Sequence, residues 1–241
     1  MALDPTTSIP RDARAMADAL ATAGPDAPVP VTPGWDVGRL LKHMGTVLGW
    51  GAATIESRPA TVNPRELDLA VPADRTGYGP WLVALADRAG AAIAAAPAGA
   101  ECSSWTDDRT VGFWARRLAN EIAVHRWDAE SATGTPSPLA TEAAIDAIDE
   151  LLTIVGHRQD IETGGSGERL HLHATDGAGE WLITRDAGGI VVAREHAKGD
   201  VAVRGTANDL LLVLMGRAGL PTVEVLGDAS VLEAWRAEVR F

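Results

Sequence analysis

Cysteine is nearly missing from this chain. Cys102 is the only one in 241 residues, so no disulfide can close within it, and the composition suits a reducing cytoplasm. A lone Cys among small neighbours is expected to be an inert thiol rather than a nucleophile. Basic runs are missing too. Asp and Glu number 33 against 21 Lys and Arg, a formal charge of -12, which repels a phosphate backbone and argues against a nucleic-acid partner. Long apolar runs are also lacking. The weakly apolar stretch from Ala89 to Ala100 is Ala and Gly broken by Pro97, too short to span a bilayer, so no membrane is expected. Met1 to Pro10 lacks the charged-then-apolar order of a secretory signal. No internal repeat stands out.

What the chain does have is helical periodicity over its first two thirds. Pro10 to Ala23 reads as a helix with Ala15, Met16, Ala19 and Leu20 on one face. The prolines between Gly24 and Gly34 force a loop. Val37 to Ser57 is a second helix, with Leu40, Leu41, Met44, Val47 and Leu48 apolar and His43 at the edge of that face. Thr61 to Pro80 is a long connection rich in Pro and Gly, of the kind that often forms a lid. Helices follow over Trp81 to Ala96, Phe113 to Ser131 and Thr141 to Val155.

The pattern then changes. Arg158 to Arg169 is polar and holds Gly164-Gly165-Ser166-Gly167, which reads as a flexible linker. Beyond it the period falls to two: Leu170, Leu172 and Ala174 alternate with Arg169, His171 and His173. Trp181 to Arg185, Ile190 to Arg194, Val201 to Gly205 and Val223 to Leu226 also read as strands, with tight turns at Asp176-Gly177 and Gly188-Gly189. A helix capped by Asn208 and a closing helix from Ser230 complete an α+β pattern. The expected organisation is a helical bundle over residues 1–160 and a small α+β domain over residues 168–241.

Chemistry gathers on the fourth helix. Trp114, Leu118, Glu121, His125 and Asp128 are spaced four, three, four and three apart, an inward stripe whose last members are polar. Burying them side by side requires compensation, and Glu121 and His125 offer one oxygen and one nitrogen to a common point. Arg116, Asn120 and Glu130 are expected on the solvated face. His43 supplies a third ligand from the second helix. Two imidazoles and one carboxylate leave a tetrahedral ion an open position, as in catalytic zinc. Imidazoles favour Zn, Ni or Cu, while the carboxylate keeps Mn or Fe open. His171-x-His173 alternates with the apolar residues of its strand and is expected to be solvated.

These residues carry a resemblance. Trp35-Asp36-Val37, Leu40 and His43, then Glu121, His125-Arg126-Trp127-Asp128, resemble two motifs of the mycothiol-dependent maleylpyruvate isomerase family, within the DinB-like metal-binding bundles. Val203-Arg204-Gly205-Thr206-Ala207, Asp209-Leu210-Leu211 and Gly216-Arg217 resemble its C-terminal domain. The resemblance implies an α+β protein: an N-terminal DinB-like four-helix bundle with a small C-terminal α+β domain. It implies a divalent metal, usually zinc, with Ni or Mn also compatible, on His43, Glu121 and His125. Asp128 falls at the acidic position beside the metal, where it can move a proton or hold a ligating His. Arg204 and Arg217 are both candidates for an arginine that grips a substrate carboxylate. The implied cofactor is mycothiol and the implied partner a small electrophile, handled by cis-trans isomerisation of an enone acid or by thiol S-transfer. The chain would act as a monomer or homodimer. Trp50 and Trp127 are candidate pocket residues, with core packing the plainer role. A zinc hydrolase using water and a non-catalytic binding module are the competing readings.

Overall fold

The structure, a computed structural model, describes residues 4–157 and 165–239. Contacts divide the chain into two compact units, Ala2–Pro138 and Leu139–Phe241. The first holds four helices, α1 (Pro5–Ala23), α2 (Val37–Ser57), α3 (Tyr78–Ala94) and α4 (Val111–Ser131). The second holds α5 (Thr141–His157), β1 (Glu168–Ala174), β2 (Glu180–Asp186), β3 (Gly189–Ala193), β4 (Val201–Gly205), α6 (Ala207–Leu214), β5 (Glu224–Gly227) and α7 (Ala229–Glu238).

Caps set the ends of the bundle helices. Asp4 accepts from the Thr6 amide at 3.0 Å and Pro5 takes the first helical position, where its missing N–H costs nothing. Helix α1 therefore starts five residues before Pro10, which is tolerated inside it. Asp36 accepts from Arg39 at 2.7 Å and Thr110 from Phe113 at 3.2 Å, fixing the entries of α2 and α4. Met16, Leu40, Leu41, Met44, Leu48, Leu82 and Leu118 are fully buried between the four helices.

Helices α2 and α3 approach closely at Gly45, where a Cβ would fall 2.1 Å from the Trp81 ring. That ring cannot easily move away, because its Nε1 donates to the Leu69 carbonyl at 2.7 Å. Gly45→Val should therefore destabilise the bundle by about 1–3 kcal/mol through overpacking. The melting temperature should fall by roughly 2–4 °C per kcal/mol for a chain of this size. An unchanged melt would mean that the helices can separate at no cost.

The long connection between α2 and α3 is tethered rather than loose. Trp50 Nε1 donates to the Val62 carbonyl at 3.1 Å, Leu69 packs over Gly49, and Arg75 pairs with both Asp26 and Asp36. Cys102 is fully buried against the Thr54 carbonyl, and burial pushes its thiol pKa up, both of which suit an inert thiol.

In the second unit the strands run in the order β3-β2-β1-β4-β5, with β1 and β4 parallel and every other pair antiparallel. One face, with Leu170, Leu172, Trp181, Ile183 and Arg185, meets helices. Trp181 Nε1 donates to Asp149 of α5 at 2.7 Å, and Arg185 pairs with Glu238 of α7.

Three sequence expectations change here. The domain boundary moves from about residue 160 to Pro138/Leu139, because α5 packs on α6 and β3. The cap of α6 is Thr206, whose hydroxyl accepts from the Asp209 amide at 3.1 Å. Asn208 instead accepts from the Leu139 amide at 2.9 Å, stitching the start of the second unit to α6. His171 is buried at 6% exposure rather than solvated. The segment between β3 and β4 covers that face: the ring of its His196 meets the His171 ring edge-on at 5.3 Å. Within the expected linker, Gly164 and the residues from Arg158 lie outside the described residues.

Candidate functional site

The first unit brings His43 of α2 together with Glu121 and His125 of α4. His43 Nε2 lies 3.4 Å from Glu121 Oε1, and His125 Nε2 lies 3.5 Å from the same oxygen. The two imidazoles meet edge to face, with centroids 5.1 Å apart. These separations are long for hydrogen bonds. They match the edge of a tetrahedron around an ion with bonds of about 2.1 Å, which is roughly 3.4 Å. The donor set thus fits a divalent metal. The three ligand atoms all lie within 4.8 Å of one another.

The surroundings fix each donor. Asp128 is fully buried, and its Oδ2 lies 2.7 Å from His125 Nδ1. With Nδ1–H donated to that carboxylate, Nε2 is the lone-pair nitrogen and faces Glu121. Arg117, one turn before Glu121, pairs with its other oxygen, Oε2. Trp35 packs edge-on against His43 at 5.4 Å and is itself covered by the Arg39 guanidinium. Burial chiefly, with the nearby His125 and the Arg117 charge, pulls the His43 pKa down to about 4. His43 therefore stays neutral, as a ligand must be, through the whole physiological range.

Sequence reasoning missed Arg117 and the role of Trp35. The spacing of four from Arg117 to Glu121 was the available signal. Of the residues expected on the solvated face of α4, Asn120 is buried at 7% exposure, and Arg126, for which no face was expected, is buried too at 8%. Helix α4 packs on both α1 and α2, and Arg126 reaches Glu130 at 2.7 Å and the Ser137 carbonyl at 3.0 Å. Trp50 stacks on Trp105 and meets Trp114 edge-on, so it belongs to an aromatic cluster. Trp127 is half-buried. The two candidate arginines belong to the second unit. Arg204 lies on β4 and donates to Glu224 of β5 at 3.1 Å. Arg217 follows α6 and is half-buried.

A four-helix bundle with two histidines and a carboxylate converging in it, followed by an α+β unit, defines a narrow class of protein. Residues 8–130 match the mycothiol maleylpyruvate isomerase N-terminal domain and residues 142–234 match the C-terminal domain of the same family. The chain belongs to the mycothiol-dependent maleylpyruvate isomerase family. The crystal structure of a mycothiol-dependent maleylpyruvate isomerase is similar at 15% identity, with a TM-score of 0.55, over 92% of this chain and 91% of that one. A histidine-to-alanine mutant of that enzyme is similar at 14% identity and a TM-score of 0.57, with the same coverage. At these identities the likeness establishes the fold. No curated protein sequence matches the chain. Among the described residues no helix is long and apolar enough to cross a membrane.

Proposed function

We propose that the chain is an enzyme that holds a divalent ion, zinc foremost, on His43, Glu121 and His125. Its co-reactant is mycothiol and its substrate a small electrophilic acid. The reaction is cis-trans isomerisation of a maleylpyruvate-like enone acid, or transfer of the thiol to such an electrophile. One observation carries this reading: the 3.4 and 3.5 Å separations suit co-ligands of one ion, in a chain whose family is named for this chemistry. A divalent ion here would acidify a thiol, and addition of that thiol to an enone followed by its loss lets the former double bond turn.

The residues have separable tasks in this proposal. His43 and His125 present neutral nitrogens, and Glu121 presents one oxygen while Arg117 engages the other. Asp128 holds His125 in one tautomer and one orientation. The substrate carboxylate calls for a bidentate arginine, and Arg204 and Arg217, both within the C-terminal match, are proposed for that task.

The test is incubation of the full chain with mycothiol and a panel of electrophiles that includes a cis enone acid, followed by mass spectrometry. An isomerised acid without adduct identifies the isomerase, and an S-adduct identifies the transferase. Full turnover of a substrate with no thiol present would replace this reading with metal-assisted hydrolysis.

A further inference from the structure

The second unit gathers another set of donors. His171 and His173 lie two apart on β1 and so share a face, and His173 is the cross-strand partner of Glu180 on β2. His196 reaches the same place from the segment between β3 and β4. Its Nδ1 lies 3.0 Å from Glu180 Oε1, and its ring meets the His171 ring edge-on at 5.3 Å. His173 Nδ1 bonds the same Oε1. Ligand atoms of His171, Glu180 and His196 all lie within 4.8 Å of one another.

Hydrogen bonding alone leaves this cluster incomplete. His171 is 94% buried, at 6% exposure, and its Nε2 has no hydrogen-bond partner. A buried imidazole nitrogen left without a partner costs about 1–3 kcal/mol. Its neighbours across the cluster are two imidazoles and a carboxylate, which are the donors a transition ion prefers. The side chains of His173, Glu180 and His196 are 31%, 28% and 77% exposed, so an ion has a path in.

We propose that the C-terminal unit carries a second site for a divalent transition ion, zinc being the natural probe, on His171, Glu180 and His196. His173 stands beside it as the positioning residue that holds the Glu180 carboxylate. The ion ties β1 and β2 to the segment between β3 and β4, which has no regular secondary structure of its own. The proposal rests on the second unit alone and does not depend on the reading of His43, Glu121 and His125.

The test uses full-length His125→Ala protein stripped of metal and then dialysed against Zn²⁺, so that the bundle site cannot contribute. One zinc per chain should remain, and zinc should raise the melting temperature. Adding His196→Ala should remove both effects, because it deletes one of the three donors, while its 77% exposure lets the fold survive the change. Glu180→Gln should do the same. His173→Gln should weaken zinc by about 10–100-fold, as loss of an outer partner does. Zinc should also shift the imidazole NMR signals of His171 and His196. His125→Ala protein that binds no zinc, or that binds it equally well with and without His196→Ala and Glu180→Gln, overturns the proposal. If His125→Ala fails to fold, wild type compared with His196→Ala gives the reading: one equivalent must be lost.

Discussion

His43→Ala and His125→Ala should each remove one tightly held metal equivalent and reduce turnover to background. Each takes one of three donors from the proposed site, so nothing in the set can substitute for it. Loss of an outer partner alone costs about 10–100-fold in metal affinity, and loss of a ligand should exceed that. His43 is the cleaner position, since its side chain is 35% exposed and truncation leaves little cavity. His125→Ala also deprives the buried Asp128 carboxylate of one partner, at about 1–3 kcal/mol. The two variants should therefore agree in metal content and activity while differing in melting temperature. The count is best made in a His196→Ala background, where the second cluster does not contribute. Elemental analysis and steady-state turnover are the measurements. A His43→Ala protein that kept its metal and its turnover would remove both the site and the mechanism built on it.

The legible part of this site was the part that periodicity reports. A helix repeats its faces every three to four residues, so the run from Trp114 to Asp128 showed Glu121, His125 and Asp128 on one side. The shared point with His43 needed a second helix, and the motif from Trp35 to His43 provided it. Periodicity says little about what lies on the remaining faces. Helix α4 looked amphipathic, yet Asn120 and Arg126 are buried because α1 and α2 both pack on it. Charged and polar residues can be buried when partners are brought from elsewhere, and Arg126 finds the Ser137 carbonyl at 3.0 Å and Asp12 of α1 at 3.7 Å.

The same limit explains His171. Strict alternation with Leu170 and Leu172 implies a strand with one solvated face. Here the segment between β3 and β4 covers that face, and no local pattern announces such cover. Helix α5 was visible as a helix, but its side of the boundary was not. Its apolar stripe from Ala144 to Val155 would suit either neighbour, and only contacts with α6 and β3 assign it. The Asn208 cap failed for a smaller reason: Thr206, two residues earlier, is also a favoured cap, and Asn208 had a partner 69 residues away in Leu139.

Asp128→Asn should separate the two roles open to that carboxylate. The side chain is 0% exposed and sits 2.7 Å from His125 Nδ1, behind the proposed ligand His125 and away from solvent. The amide keeps the shape and one acceptor oxygen but loses the charge that strengthens the bond to Nδ1–H. The imidazole then becomes a poorer donor to metal through Nε2 and is held less firmly in one tautomer. Zinc affinity should fall by about 10–100-fold, measured by competition with a chelator, and turnover should recover as zinc is raised. The melting temperature of the metal-free protein should change much less than the affinity, which distinguishes positioning from simple loss of stability. Asp128→Glu should not rescue, because a longer side chain in a fully buried slot must displace its neighbours. A proton-transfer role predicts the opposite pattern. Metal affinity would then be untouched, turnover would stay low at saturating zinc, and one limb of the pH profile would disappear with the carboxylate.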